Sequence, residues 1–250
     1  MQKYDLIFSI GEACSCTSAL RGAKLQFASY PFDWLWGADF ICRCKIVASR
    51  FSRFIDKKDL EDTYQTNLDK DNLCEIYHNK YNDLTFNHDF AAGRPLDETY
   101  PAVSEKYARR ISRLLESIDK SQRILLVCIE TPVKNHDIVD NKDLIRGRQI
   151  IADAFPDTVV DLLYFSNSNS KKQTEQVSDH ITRIYDDYKD KHSSLDYIVT
   201  EKRLIKHLRN IKLNIPLSIR IKRKIRNVLI NLIPFKQIRH NMQRKYHVKK

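Results

Sequence analysis

Five glycines in 250 residues are too few for a glycine-rich phosphate loop or a dinucleotide fingerprint, and neither pattern occurs. No Cys-x-x-Cys pair is present, which removes the usual redox and zinc-ribbon spacings. Long apolar runs are missing too. The opening stretch, Met1 to Ile10, carries Lys3 and Asp5 and is too short and too charged for a secretory core or a membrane span. A cytoplasmic protein is expected, with its six cysteines kept reduced. There is no internal repeat and no low-complexity tract.

The most informative absence is of acid. From Lys202 to Lys250 there are sixteen Lys and Arg and no Asp or Glu, whereas the preceding residues hold 27 basic against 32 acidic groups. The net charge of +11 is therefore confined to the last fifth of the chain. Residues 1–200 read as one mildly acidic domain, large enough to bury a core, and 201–250 as a basic tail.

What is present alternates between short apolar runs and amphipathic stretches. Tyr4 to Ile10 predicts a buried strand that turns at Gly11, and Ala13 to Lys24 a helix. Leu25 to Trp36 begins like a strand, is broken by Pro31, and carries an aromatic cluster that must be packed. Residues 38–54 predict a second helix, and 57–72 are polar, weakly patterned surface. Glu75 to Phe90 holds two strands around a Tyr81-Asn82-Asp83 turn.

From Tyr100 to Ile118, apolar residues recur every three or four positions, which predicts a helix. Arg123 to Ile129 is an apolar strand covered on both faces. Asn141–Ala154 reads as helix, Thr158–Phe165 as strand, Lys171–Tyr188 as helix and Leu195–Val199 as a last strand. This rhythm predicts an α/β fold with a mainly parallel central sheet flanked by helices, followed by a C-terminal basic amphipathic helical tail.

One turn can carry chemistry. In Ser9-Ile10-Gly11-Glu12-Ala13-Cys14-Ser15-Cys16 the strand runs directly into a helix with Cys14 at its start, where free N–H groups favour a thiolate and can hold an oxyanion. Read alone, the octapeptide is better explained as two small core cysteines on an apolar helix face. His88, in Leu84-Thr85-Phe86-Asn87-His88-Asp89-Phe90, lies in an apolar strand where an imidazole needs partners. A helix-start Cys followed by a strand His is the order of a thiol–imidazole pair, in which the imidazole removes the thiol proton and returns it to the leaving group.

Gly11-Glu12-Ala13-Cys14-Ser15, then Ser29-Tyr30-Pro31-Phe32-Asp33-Trp34, then His88-Asp89-Phe90 and Arg109-Arg110 together resemble the bacterial papain-like cysteine peptidase family, across roughly residues 4–165. The resemblance implies Cys14 as nucleophile and His88 as base, with Asp33 and Asp89 as candidates to orient the imidazole. If His88 and Asp89 share one strand they point to opposite sides. The residues themselves support acyl chemistry on a thiol. A peptidase or hydrolase is one outcome, and an acyltransferase acting on a surface polysaccharide precursor uses the same pair. An inert binding module, with Cys14 in the core, is the reading from another class.

No cofactor and no metal is expected. A zinc site from Cys14, Cys16, Cys42 and Cys44 would need Cys-x-Cys pairs inside helices, which lack ligand spacing. Cys74 has only His78 nearby in sequence, and Glu130 ends a strand. In the tail, Ile221, Ile225, Val228 and Leu232 are spaced by four, three and four, with Arg220, Lys222, Arg223, Lys224 and Arg226 around them. Residues 217–250 thus read as an amphipathic partner for an anionic membrane surface, which would place the protein peripherally at the inner membrane. Docking on protein is the competing reading. Nucleic acid is disfavoured, because only Phe235 and Tyr246 are available to stack on bases.

Overall fold

The computed structural model describes residues 3–12, 14–69, 72–130, 139–168, 171–186, 204–215 and 217–246. The chain forms two compact units, Met1–Lys212 and Leu213–Lys250.

The first unit begins with β1 (Lys3–Tyr4), β2 (Leu6–Ser9) and α1 (Ser15–Gly22). A 3-10 turn over Pro31–Trp34 leads to β3 (Trp36–Gly37), α2 (Phe40–Ala48), β4 (Leu60–Asp69), β5 (Asn72–Asn79) and β6 (Leu84–Ala91). After these come α3 (Leu96–Asp119), β7 (Arg123–Ile129), α4 (Asn141–Ala154), β8 (Val159–Asn167), β9 (Gln173–Ser178) and β10 (Ile181–Asp186), with a short helix α5 over 204–208.

The predicted α/β architecture is present. A five-stranded sheet runs in the order β2-β7-β8-β10-β9. Its first four strands are parallel, with Leu6 beside Ile124, Ile124 beside Val160, and Leu162 beside Ile181. β7 is buried from Ile124 onward, as its unbroken apolar run requires. Helix α1 packs on β2 and β7, and α4 on β8 and β10. The core lies between these layers, around Phe8, Ile10, Leu126, Leu162 and Tyr164.

A second, antiparallel sheet in the order β3-β6-β5-β4 extends the parallel architecture. Its strands β5 and β6 flank the expected turn at Tyr81-Asn82-Asp83. The aromatic cluster finds its place against this sheet. Phe32 meets Phe54 at 5.9 Å, Phe54 meets Tyr107 of α3 at 5.5 Å, and Tyr107 meets Phe86 of β6 at 5.3 Å, mostly edge to face. Burying each such ring stabilises by about 1.5–3 kcal/mol.

Four readings need correction. The helix expected over Lys171–Tyr188 is a β-hairpin, β9 and β10, whose strands pair antiparallel. Val177, Ile181 and Ile184 mimic helical spacing, but Thr174, Val177, Ile181, Thr182 and Ile184 are β-branched, and a turn at Asp179-His180 separates the strands. The strand-like start at Leu25 is not a strand, since residues 25–30 are irregular and lead into the 3-10 turn at Pro31, whereas residues 57–72, read as polar surface, carry the largely exposed ten-residue edge strand β4. The helix expected over 38–54 stops at Ala48. The last strand, placed at Leu195–Val199, lies outside the described residues.

In the second unit, α6 (Leu217–Asn231) and α7 (Lys236–Tyr246) flank Pro234, which cannot supply the N–H that a continuous helix would need. Arg239 Nη1 donates to Ile233 O at 3.0 Å and closes the corner between them.

Candidate active site

The parallel strand β2 ends at Ser9, and the chain turns into α1 with Cys14 as the helix cap. Gly11 packs closely there. A Cβ at this position would lie 3.1 Å from Ile129 N and 3.4 Å from Cys16 Cβ, so a side chain would make the turn or β7 give by a few tenths of an ångström. Gly11 N donates to Ser9 Oγ at 3.1 Å, and Ile10 N to Val127 O at 3.0 Å. Glu12 is buried, and its Oε1 accepts from Gly37 N at 2.6 Å. Gly37 has φ +74 and sits against Asp83 O, a place where a side chain does not fit.

Behind this turn lies Arg43, a fully buried cation on α2. Its guanidinium donates to five carbonyls: Gly11 at 2.9 Å, Ile10 at 3.5 Å, Leu35 at 3.3 Å, Gly37 at 2.6 Å and Ala38 at 3.0 Å. Burial pulls its pKa down, against the charge of Glu12. One planar fork thus fixes the turn before Cys14 and the segment after Trp34 to the same point.

Asp33 serves α1 from the other end. It is fully buried and accepts from Thr17 Oγ1 at 3.0 Å, Arg21 Nη2 at 2.9 Å, Gln26 Nε2 at 2.9 Å and Tyr30 N at 3.1 Å. Burial pushes its carboxyl up, opposed by Arg21, Gln26, Tyr30 N and Thr17. These donors account for both oxygens, so Asp33 positions the helix that Cys14 caps.

His88 stands in an irregularity of β6. Register passes from Glu75 opposite Phe90 to Tyr77 opposite Phe86, so Asn87, His88 and Asp89 face a single residue of β5. Such a bulge re-aims side chains. Asp89 turns to α3, bonded to Lys106 Nζ and, at 2.8 Å, to Tyr107 Oη. His88 turns to β4, where its Nδ1 lies 3.2 Å from Asn67 Nδ2, which also donates to Asn87 O at 3.3 Å. Among the described residues, Asn67 is the side-chain neighbour of this imidazole. The turn at Gly11-Glu12 and strand β6 are joined through β3, since Glu12 holds Gly37 and Trp36 pairs with Thr85.

Residues 5–146 match the family described as "Putative papain-like cysteine peptidase (DUF1796)". The chain belongs to that family. No curated protein and no solved structure matches it. The family's matched span takes in Cys14, Asp33, Asn67, His88 and Asp89, and ends before the basic tail.

Within this peptidase family member the six thiols are not equivalent. Cys16, Cys44, Cys74 and Cys128 are buried, while Cys14 and Cys42 are half-buried. Burial pushes Cys16 up to about 12 and also raises Cys44 and Cys128. Cys42 is raised by burial and by Asp39. No group of three or more His, Cys, Asp or Glu suited to a metal ion occurs among the described residues.

A shallow pocket of about 50 Å³ opens at the ends of β2, β7 and β8, lined by Glu12, Asp39, Arg43, Glu130 and Tyr164. In open parallel sheets this carboxyl end is where ligands bind. Glu130, read from sequence as a strand end, lines it and accepts from Asn167 N at 2.9 Å.

Sequence reasoning missed Arg43 and Asn67. Arg43 had a signal: it falls three residues after Phe40 and four before Val47, on the apolar side of a short helix. Asn67 had none, lying in a polar stretch whose strand is defined only by pairing.

Proposed function

We propose that the protein is a cysteine hydrolase of peptide or related acyl bonds, with Cys14 as nucleophile, His88 as base and Asn67 as the residue that positions the imidazole. The observation that carries this reading is the placement of Cys14. It is a half-buried thiol capping a helix, and the turn before it is fixed by a buried arginine and a close-packed glycine. A helix N-terminus favours the thiolate over the thiol.

In the proposed reaction His88 Nε2 takes the proton of Cys14 Sγ, and sulfur attacks the scissile carbonyl carbon. The developing oxyanion faces N–H groups of the first turn of α1, which have no partner within the helix. As the tetrahedral centre collapses, the C–N bond breaks and the amine leaves with the proton from His88, giving a thioester on Cys14. Water, deprotonated by His88, then attacks that thioester, releases the acid and restores the thiol. For Nε2 to act as the base, Nδ1 must hold the ring's proton. The Asn67 amide must then turn so that Oδ1 accepts from Nδ1, giving up the bond that its Nδ2 now donates to Asn87 O.

The test is covalent capture. A peptidyl electrophile should add one equivalent to the full-length protein, located at Cys14 by peptide mass spectrometry and absent in Cys14→Ser. A parallel thermal-shift titration with acetyl-CoA should give no stabilisation. An adduct spread over several cysteines would refute the assignment, and a CoA-dependent shift would favour acyl transfer over hydrolysis.

A further inference from the structure

The structure gives the basic tail a feature that its sequence pattern does not settle: which of its apolar residues are covered. In α6, Ile230 is 2% exposed, whereas Ile221, Ile225, Val228 and Leu229, and Leu232 just past its end, all point outward, Leu232 at 70%. At 100° per residue, the outward set occupies one continuous stripe and Ile230 lies on another side. The helix therefore has a covered apolar position and, separately, an uncovered apolar stripe.

Exposed apolar residues continue past the corner along the chain. Phe235, 68% exposed, and Ile238 are also outward, so Leu229, Leu232, Phe235 and Ile238 recur every three residues across the α6–α7 junction. Arg239 holds that corner closed through Ile233 O. Lys224 and Arg226 precede the ridge and Lys236 and Arg239 follow it, within a stretch from Lys202 to Lys250 that holds sixteen Lys and Arg. No Asp or Glu occurs anywhere from Lys202 to Lys250.

We propose that Leu217–Tyr246 is a binding surface for an anionic lipid bilayer. The ridge Leu229–Leu232–Phe235–Ile238 enters the boundary between headgroups and acyl chains, and the flanking Lys and Arg meet lipid phosphates. Charge and apolarity each exclude other occupants. A nucleic acid or a soluble polyanion would use the cations but leave the ridge in water. A neutral apolar groove would use the ridge but leave the basic flanks unmatched by charge. A bilayer surface carrying acidic headgroups satisfies both at once. The attachment is interfacial, since no helix among the described residues is long and apolar enough to cross a membrane.

The experiment is co-sedimentation of the full-length protein with phosphatidylglycerol-rich and with pure phosphatidylcholine vesicles at physiological salt. Binding to the anionic vesicles should exceed binding to the neutral ones by at least about tenfold. The charge-neutral double variant Leu232→Ser, Phe235→Ser should lose about tenfold in partitioning, with its circular dichroism unchanged because both side chains already lie in solvent. Phe235→Trp should show a blue-shifted emission on anionic vesicles, quenched by brominated acyl chains, and none with inorganic phosphate.

Equal binding to neutral vesicles, undiminished binding by the double serine variant, or an unshifted tryptophan would each overturn the proposal. So would a duplex oligonucleotide that displaces the protein from vesicles at equal phosphate concentration.

Discussion

Asn67 Nδ2 lies 3.2 Å from His88 Nδ1, reaching from the outer strand β4 across β5 to a bulge in β6. The contact restrains the imidazole, and in the proposed reaction it makes Asn67 a positioning residue. Asn67→Ala should slow alkylation of Cys14 at neutral pH by about tenfold, less than the 10² or more expected on removing a general base with His88→Ala. Asn67→Gln should restore part of the loss. A structural role alone would lower the melting temperature and leave the pH–rate profile of folded protein in place, so the profile is the deciding readout.

Arg43 offers a sharper stability test. Lysine keeps the charge but cannot direct donors to the five carbonyls now held by one guanidinium. Arg43→Lys should cost about 3 kcal/mol in urea unfolding, from unpaired buried carbonyls. Under conditions where the variant is folded, Cys14 reactivity should also fall, because the Gly11 carbonyl loses its anchor. A variant of wild-type stability would contradict the role assigned to Arg43.

Asp33 separates positioning of the helix from positioning of the imidazole. Asp33→Asn presents an amide donor to Arg21, Gln26 and Tyr30 N, and should destabilise the fold by about 3 kcal/mol. The pH–rate profile of Cys14 should keep its midpoint in this variant, whereas His88→Ala should move it. A midpoint shift with Asp33→Asn would place this carboxylate in the proton path.

Alkaline pH should unfold the protein in a defined window. Burial raises Cys16 from 9.0 to about 12 and Tyr4 from 10.0 to about 12. The folded state thus keeps protons that the unfolded chain has released. For groups raised in this way stability is complete below the unfolded pKa and is lost as pH climbs through the folded one. Each group contributes a loss of about 1.4 kcal/mol per pH unit within its window. Urea midpoints should be level from pH 7 to about 8.5 and then decline, less steeply in Cys16→Ala. A midpoint at pH 11 equal to that at pH 7 would show these groups to be exposed.

Much of this was legible in the sequence where the signal is local. Arg123 to Ile129 is a continuous apolar run and folds as strand β7 over those very residues, and Asn141–Ala154 is a helix at the predicted bounds. Asp140 caps that helix through Asp143 N at 2.8 Å. The hairpin of β9 and β10 escapes a reading of the sequence because β-branched residues at helical spacing satisfy both patterns, and only pairing with β8 decides between them. At the site, the helix-start cysteine and the strand histidine are sequence features. The partners of Asp33, Asp89 and His88 depend instead on a crossing helix, a bulge and an edge strand, none of which leaves a periodic trace.

The central claim, that Cys14 is the activated thiol and His88 its base, is tested most directly by iodoacetamide labelling of the native protein from pH 5 to 10, with each cysteine quantified by peptide mass spectrometry. Cys14 should label fastest at neutral pH, with a midpoint below the ordinary thiol value of about 8.5, and His88→Ala should slow it and move the midpoint up. If Cys14 labels no faster than half-buried Cys42, and its rate is indifferent to His88→Ala, Cys14 is a packing residue and the account of the site is wrong.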